Sequence, residues 1–207
     1  TQCLPDEHCF CTAWGKSEVK KYDLHIQKEE TGFSVFAGSK IGEAILKNNS
    51  IQAKGQRPKI QKIVLEKKEL IDQKELPIAV SDREALKDYW TIVSNNCFGC
   101  GSCSIVCPLC FCIRQNFENS ATGECKQCLA WDSCFSKGFS EIQNHYDFRP
   151  QNIDRLYNWY HHKFVRSHHE DKNFLCTGCG RCIEACPAFL NQYRIIHSLI
   201  KKEEKIN

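Results

Sequence analysis

Two stretches of this chain repeat one another: residues 97–108 read CFGCGSCSIVCP and residues 176–187 read CTGCGRCIEACP. Both have the form C-x2-C-x2-C-x3-C-P. Three cysteines at intervals of three, in a loop with two glycines, let a short segment present thiolates to three corners of one metal cube. The proline after the fourth turns the chain away, so that this last thiolate serves the neighbouring cube. The spacing therefore predicts two [4Fe–4S] clusters with exchanged fourth ligands. Cys97, Cys100, Cys103 and Cys186 would bind the first, and Cys176, Cys179, Cys182 and Cys107 the second. The chemistry of such a pair is single-electron transfer.

Competing readings of the cysteines fare worse. Structural zinc needs paired C-x2-C elements and leaves a duplicated four-cysteine run followed by proline unexplained. Disulfides do not suit thiols three residues apart in loops that converge on a metal. Cys103, Cys107 and Cys110 satisfy C-x3-C-x2-C, the spacing of radical enzymes that use S-adenosylmethionine, but the barrel those enzymes need would show as alternating strands and helices. The two runs use eight of the sixteen cysteines. Cys3, Cys9, Cys11, Cys110, Cys112, Cys125, Cys128 and Cys134 remain. They either build a third [4Fe–4S] cluster, chiefly from Cys3, Cys9 and Cys11, or pack as small buried thiols. Arg181 occupies the position in the second run where the first has Ser102, and is expected to raise the second cluster's potential. His161, His162, His168 and His169 are expected on the solvated side of a helix.

The rest of the composition narrows the setting. The 207 residues allow one large domain or two small ones, and 42% hydrophobic with 26% charged residues is ordinary for a globular protein. A formal charge of +3 is too small for a nucleic-acid surface, and each cluster with its thiolates would add roughly two negative charges. Thr1 to Lys21 carries Asp6, Glu7, Lys16, Glu18, Lys20 and Lys21, so no secretory leader is expected there. Tyr89 to Ile113 lacks charge over 25 residues, yet six cysteines, two asparagines and Pro108 argue against a membrane span. A cytoplasmic, anaerobic setting is expected.

The elements that must position these cysteines are legible in part. Tyr22–Gln27 and Gly32–Ala37 read as strands joined at Lys28–Thr31. Ser39–Lys47 reads as a helix, as does the stretch with Ile60, Ile63, Val64, Leu70 and Ile71. Leu76–Pro77 is expected to break the chain before a helix from Ser81 to about Val93, with Ser81 and Glu84 as a capping box. Asn152–Arg166 places Ile153, Leu156, Tyr157, Tyr160 and Phe164 on one face, and Phe189–Lys202 repeats the pattern with Tyr193, Ile196 and Ile200.

The order CFCTAWG, YDLHIQKEETGFSVFAGSKIGEAIL, CFGCGSCSIVCPLCFC, WDSC, HYDFRP, RLYNWYHHKF and CTGCGRCIEACP resembles the iron–sulfur β subunits of NiFe sulfhydrogenases and the A subunit of anaerobic sulfite reductase. The resemblance covers most of the chain, without the lobe that precedes CFC in that family and supplies a cysteine in an Arg-Pro-Cys-Asp string. It implies an electron conduit between a flavoprotein and a catalytic subunit of hydrogenase, sulfite reductase or heterodisulfide-reductase type. No dinucleotide fingerprint or nucleophile–base pair points to catalysis by the chain itself; the alternative is a reductase with a substrate-binding cluster of its own. The expected fold class is α+β. A small N-terminal α/β segment with a three-cysteine opening (1–95) would precede a dicluster ferredoxin-like domain (96–207) carrying a long, Cys-rich helical insertion (109–175).

Overall fold

The structure, a computed structural model, describes residues 6–15, 22–51, 68–119, 123, 125–171 and 173–202. Its mixture of helices and three separate two-stranded antiparallel sheets is an α+β architecture. Strands β1 (Leu24–Glu29) and β2 (Gly32–Ala37) pair from Leu24↔Ala37 to Glu29↔Gly32, turning tightly at Glu30 and Thr31. Helix α1 (Lys40–Asn48) follows at once. Ser39 caps it, its Oγ accepting from the Gly42 amide at 3.1 Å while the hydroxyl donates to Asp23 Oδ1. The expected helix around Ile60–Ile71 falls largely outside the described residues; Leu70 and Ile71 themselves lie in irregular chain.

The helix expected over 81–93 forms only from Lys87, and a separate helix precedes it. Helix α2 (Glu75–Ser81) carries Pro77 in its first turn, where a missing N–H breaks no intrahelical bond. Pro77 thus lies in the first turn of a helix where a break in the chain was expected. Ser81 closes α2, so no capping box forms with Glu84. Asp82 instead accepts from the Ala85 amide at 3.3 Å, and helix α3 (Lys87–Asn95) begins only after this turn. A four-residue helix α4 (Ser102–Ile105) lies within the first cysteine run.

The stretch between the runs is only partly helical. Its first part is a hairpin of β3 (Ile113–Asn119) and β4 (Cys125–Trp131), with Ile113 opposite Trp131 and Asn116 opposite Cys128. The alternation Ile113, Gln115, Phe117 against Trp131, Leu129, Gln127 sets one face of this ribbon, a period of two that helical packing does not produce. The short pair β5 (Glu141–Ile142) and β6 (Tyr146–Asp147) comes next. Helix α5 (Asn152–His161) then runs through a π turn at His162–Arg166 into α6 (Ser167–Asp171). The second run holds α7 (Arg181–Glu184), and α8 (Gln192–Lys201) is capped by Asn191, whose Oδ1 accepts from the Arg194 amide.

One core joins these pieces. Trp90, Tyr160, Phe164, Ile195, Ile196 and Leu199 are essentially inaccessible, and Phe10, Ala13 and Trp14 lie in the same cluster. Helix α5 lies at its centre, packed against α3 and α2, and the Tyr89 hydroxyl donates to the Ile195 carbonyl at 2.9 Å. The face expected on 152–166 holds at Leu156, Tyr160 and Phe164. The histidines are mostly half-buried rather than solvated: His162 meets the Phe111 ring at 5.7 Å and His168 the Phe174 ring at 5.2 Å, leaving His169 exposed. Among the described residues no helix is long and apolar enough to cross a membrane.

Candidate functional site

Each cysteine run is a tight loop closed on its own sulfur. The Gly99 amide points to Cys97 Sγ and the Gly178 amide to Cys176 Sγ, both at 3.4 Å. The second glycine of each run, Gly101 and Gly180, has φ of +75° and +78° and caps the short helix that follows. Helices α4 and α7 pack together, which sets the two loops face to face.

Two cavities result. The first is lined by Cys97, Cys100, Cys103 and Cys186 with Phe135, Leu156 and Tyr160. The second is lined by Cys107, Cys176, Cys179 and Cys182 with Phe10, Leu109 and Lys163. Each thus takes three cysteines from one run and the fourth of the other. Trp159 walls both. Its buried indole N–H has no partner among the described residues, an unmet donor of the kind an inorganic sulfide accepts. Four thiols in each chamber form the donor set of a [4Fe–4S] cube.

Burial governs the thiols. It raises Cys103 and Cys97, and pushes Cys176 up to about 11 and Cys182 to about 12. Cys107 goes the other way, down to about 5, because the Cys110 thiol donates to it and Lys163 stands beside it. Exposed Cys100 is also lowered, by the hydroxyl and amide of Ser102.

Helix α5 and its π turn pin both loops, through residues the sequence reading did not single out. Asn152 Nδ2 donates to the Cys97 carbonyl at 2.8 Å and to the Ser94 carbonyl at 3.3 Å. Lys163 Nζ donates to Cys107 Sγ at 3.1 Å and to the Leu175 carbonyl, just before Cys176, at 3.0 Å. The string RLYNWYHHKF held the signal, a lysine three residues after a run of core aromatics, but only the tertiary fold turns that lysine inward.

Of the other cysteines, Cys3 lies outside the described residues. Cys9 and Cys11 lie against the second loop, where the Cys9 thiol donates to the Cys179 carbonyl at 3.3 Å and the Phe10 amide to the Gly178 carbonyl at 2.7 Å. Cys112 and Cys134 share a hydrogen bond at the base of the β3–β4 hairpin, which lowers Cys112 to about 6 and, with burial, raises Cys134. Cys128 lies within the hairpin. Arg181 is exposed at the rim of the second cavity.

The chain is an iron–sulfur protein: residues 96–190 match the family described as 4Fe-4S dicluster domain, and the two clusters of such a domain answer to the two thiol-lined cavities. Over 211 aligned residues it is 29% identical to the sulfhydrogenase 2 subunit beta of Pyrococcus furiosus, across 94% of this chain and 60% of that protein. Over 189 residues it is 24% identical to the F420-dependent formate dehydrogenase subunit beta of Methanocaldococcus jannaschii, across 91% of this chain and 41% of that protein. The chain therefore spans less than two thirds of either relative's length. No solved structure gives a significant match.

Proposed function

We propose that this chain is an electron-transfer iron–sulfur subunit. It relays single electrons between a flavoprotein, or another redox subunit, and a catalytic subunit of hydrogenase, sulfite reductase or heterodisulfide-reductase type. In this reading Cys97, Cys100, Cys103 and Cys186 ligate one [4Fe–4S] cluster and Cys176, Cys179, Cys182 and Cys107 the other. Residues 96–207 are the cluster-bearing, ferredoxin-like unit, and the chain works in the cytoplasm. The observation that carries the reading is the crossover: each cavity borrows its fourth thiol from the opposite run.

Each cluster, when bound, supplies a site that takes up and gives back one electron. The protein's own residues decide where that happens and how fast. Their thiolates fix the two centres on either side of Trp159, a distance no domain motion can change, since α5 carries that residue through the core. Phe135, Leu156, Tyr160 and Leu190 exclude water from the first site. Cys100 and Phe98 lie exposed at its mouth, an edge where an electron can enter or leave toward a docked partner. The curated relatives are subunits by name, which supports a place within a complex.

The test is anaerobic purification with iron and acid-labile sulfide counting, where two cubes give about eight irons per chain and a third, at Cys3, Cys9 and Cys11, would give about twelve. Cys186→Ser should then perturb the same electron paramagnetic resonance signal as Cys97→Ser, and Cys107→Ser the same signal as Cys176→Ser. Iron-free protein overturns the function; pairing of Cys186 with the Cys176 signal overturns the crossover.

A further inference from the structure

Lys163 sits in a π turn, a helical irregularity that often marks a functional position, and only 3% of it is exposed. Its Nζ lies 3.1 Å from Cys107 Sγ and 3.0 Å from the Leu175 carbonyl, and 5.0 Å from the centre of the Trp159 ring. Among the described residues no carboxylate comes within ion-pair distance of it. An ammonium group buried without a counter-ion is costly unless a negative group shares its surroundings. Among the described residues, the negative groups that Lys163 faces are the thiolates of the second cavity, which it lines, together with the neighbouring Cys110.

The first cavity has no such device. Apart from its four cysteines it is lined by apolar and neutral polar residues, and the groups that hydrogen-bond its sulfurs, Asn152 and Gly99 at Cys97 and Ser102 at Cys100, carry no charge. The two sites repeat one another in sequence and differ in charge. The exposed guanidinium of Arg181 adds to the second site's positive side, but water and salt screen it in a way they cannot screen Lys163.

We propose that Lys163 is the built-in counter-ion of the second centre: it holds the Cys107 ligand by an N–H···S bond and raises that centre's potential above that of the first, so that the electron rests on the Cys107 side of Trp159. A fixed cation and a hydrogen bond to ligand sulfur both favour the reduced, more negative state. The proposal rests on the two-cluster reading above and adds to it an order of reduction.

A redox titration followed by electron paramagnetic resonance tests this on the anaerobically purified full chain. In the unmodified protein, the centre perturbed by Cys107→Ser should be the one reduced first. Lys163→Gln should lower the potential of that centre alone and narrow or reverse the gap, and Lys163→Arg, which keeps the charge, should preserve the order. A merely structural role would lower iron content without moving one potential selectively. If Lys163→Gln fails to hold iron, the unmodified protein decides. Finding the Cys186-linked centre reduced first there, or both potentials unmoved in an iron-replete Lys163→Gln, overturns the proposal. Absence of iron from the unmodified protein overturns the two-cluster reading itself.

Discussion

At the scale of single residues, the charge that matters to this site is the buried one. Arg181 is conspicuous in sequence because it stands in the second run where the first has Ser102, whereas nothing in the sequence singles out Lys163. Burial reverses their weights. Arg181→Glu is therefore expected to shift the second centre's potential by less than Lys163→Gln does, and by an amount that shrinks as salt is raised from about 0.05 to 0.5 M; equal, salt-independent shifts would refute this. The thiols give a second residue-scale prediction. Burial holds Cys103, Cys176 and Cys182 above the ordinary thiol range, so in metal-free protein at neutral pH these groups carry protons that cluster binding must expel. Reconstitution in weakly buffered solution should release protons, and cluster affinity should rise with pH until those thiols ionise by themselves. Cys107, already lowered to about 5, contributes little to that release. A pH-independent affinity between 6 and 9 would count against it.

At the scale of elements, the cysteine loops need backbone that glycine provides and neighbours that only the fold supplies. Gly178 has φ of +72°, and a Cβ there would stand 2.7 Å from the Cys11 Cα and nitrogen. Gly178→Ala should therefore lift the Phe10–Cys11 segment off the second loop, at a cost of roughly 1–2 kcal/mol for the left-handed backbone plus the loss of Phe10 packing. Thermal unfolding of the cluster-loaded protein reads this directly, and an unchanged Tm would show that the contact carries no weight. Local sequence signals were reliable where one element decides its own conformation. The β1–β2 hairpin and the Ser39 cap follow from alternation and a serine at the right step. They failed where neighbours decide. Pro77 reads as a stop, yet the first turn of α2 tolerates it, and Ser81 ends that helix because Leu76 and Val80 are drawn into the core ahead of α3. Likewise the span between the cysteine runs reads as helical from its second half, while its first half is a ribbon fixed by pairing between residues up to eighteen apart, as with Ile113 and Trp131.

At the scale of the whole molecule, the core and the metal site are one construction. Trp159 and Tyr160 pack into the aromatic centre and wall the cavities, and Cys97, Cys103, Cys176, Cys182 and Cys186 pack against the same core. Stripping iron with a chelator under anaerobic conditions should therefore loosen far more than two loops, leaving Lys163 buried without its counter-charge and both chambers empty. A fall in Tm of at least about 10 °C is expected, given that ~1 kcal/mol moves a domain of this size by about 2–4 °C. Chelated protein that melts where the loaded protein does would refute the idea of a shared core.

The sequence by itself determined the cofactor and supplied the proposed grouping of its ligands, because four-cysteine runs closed by proline leave few local geometries that satisfy their sulfurs. What only the tertiary structure decided is which other groups share that space. The approach of Lys163 to Cys107, of Asn152 to the Cys97 carbonyl and of Phe10 to the Gly178 carbonyl spans 56, 55 and 168 residues of chain respectively. No cysteine motif includes these groups: the contacts of Lys163 and Asn152 exist because the aromatic face of α5 must be buried, and burying it turns its lysine toward sulfur.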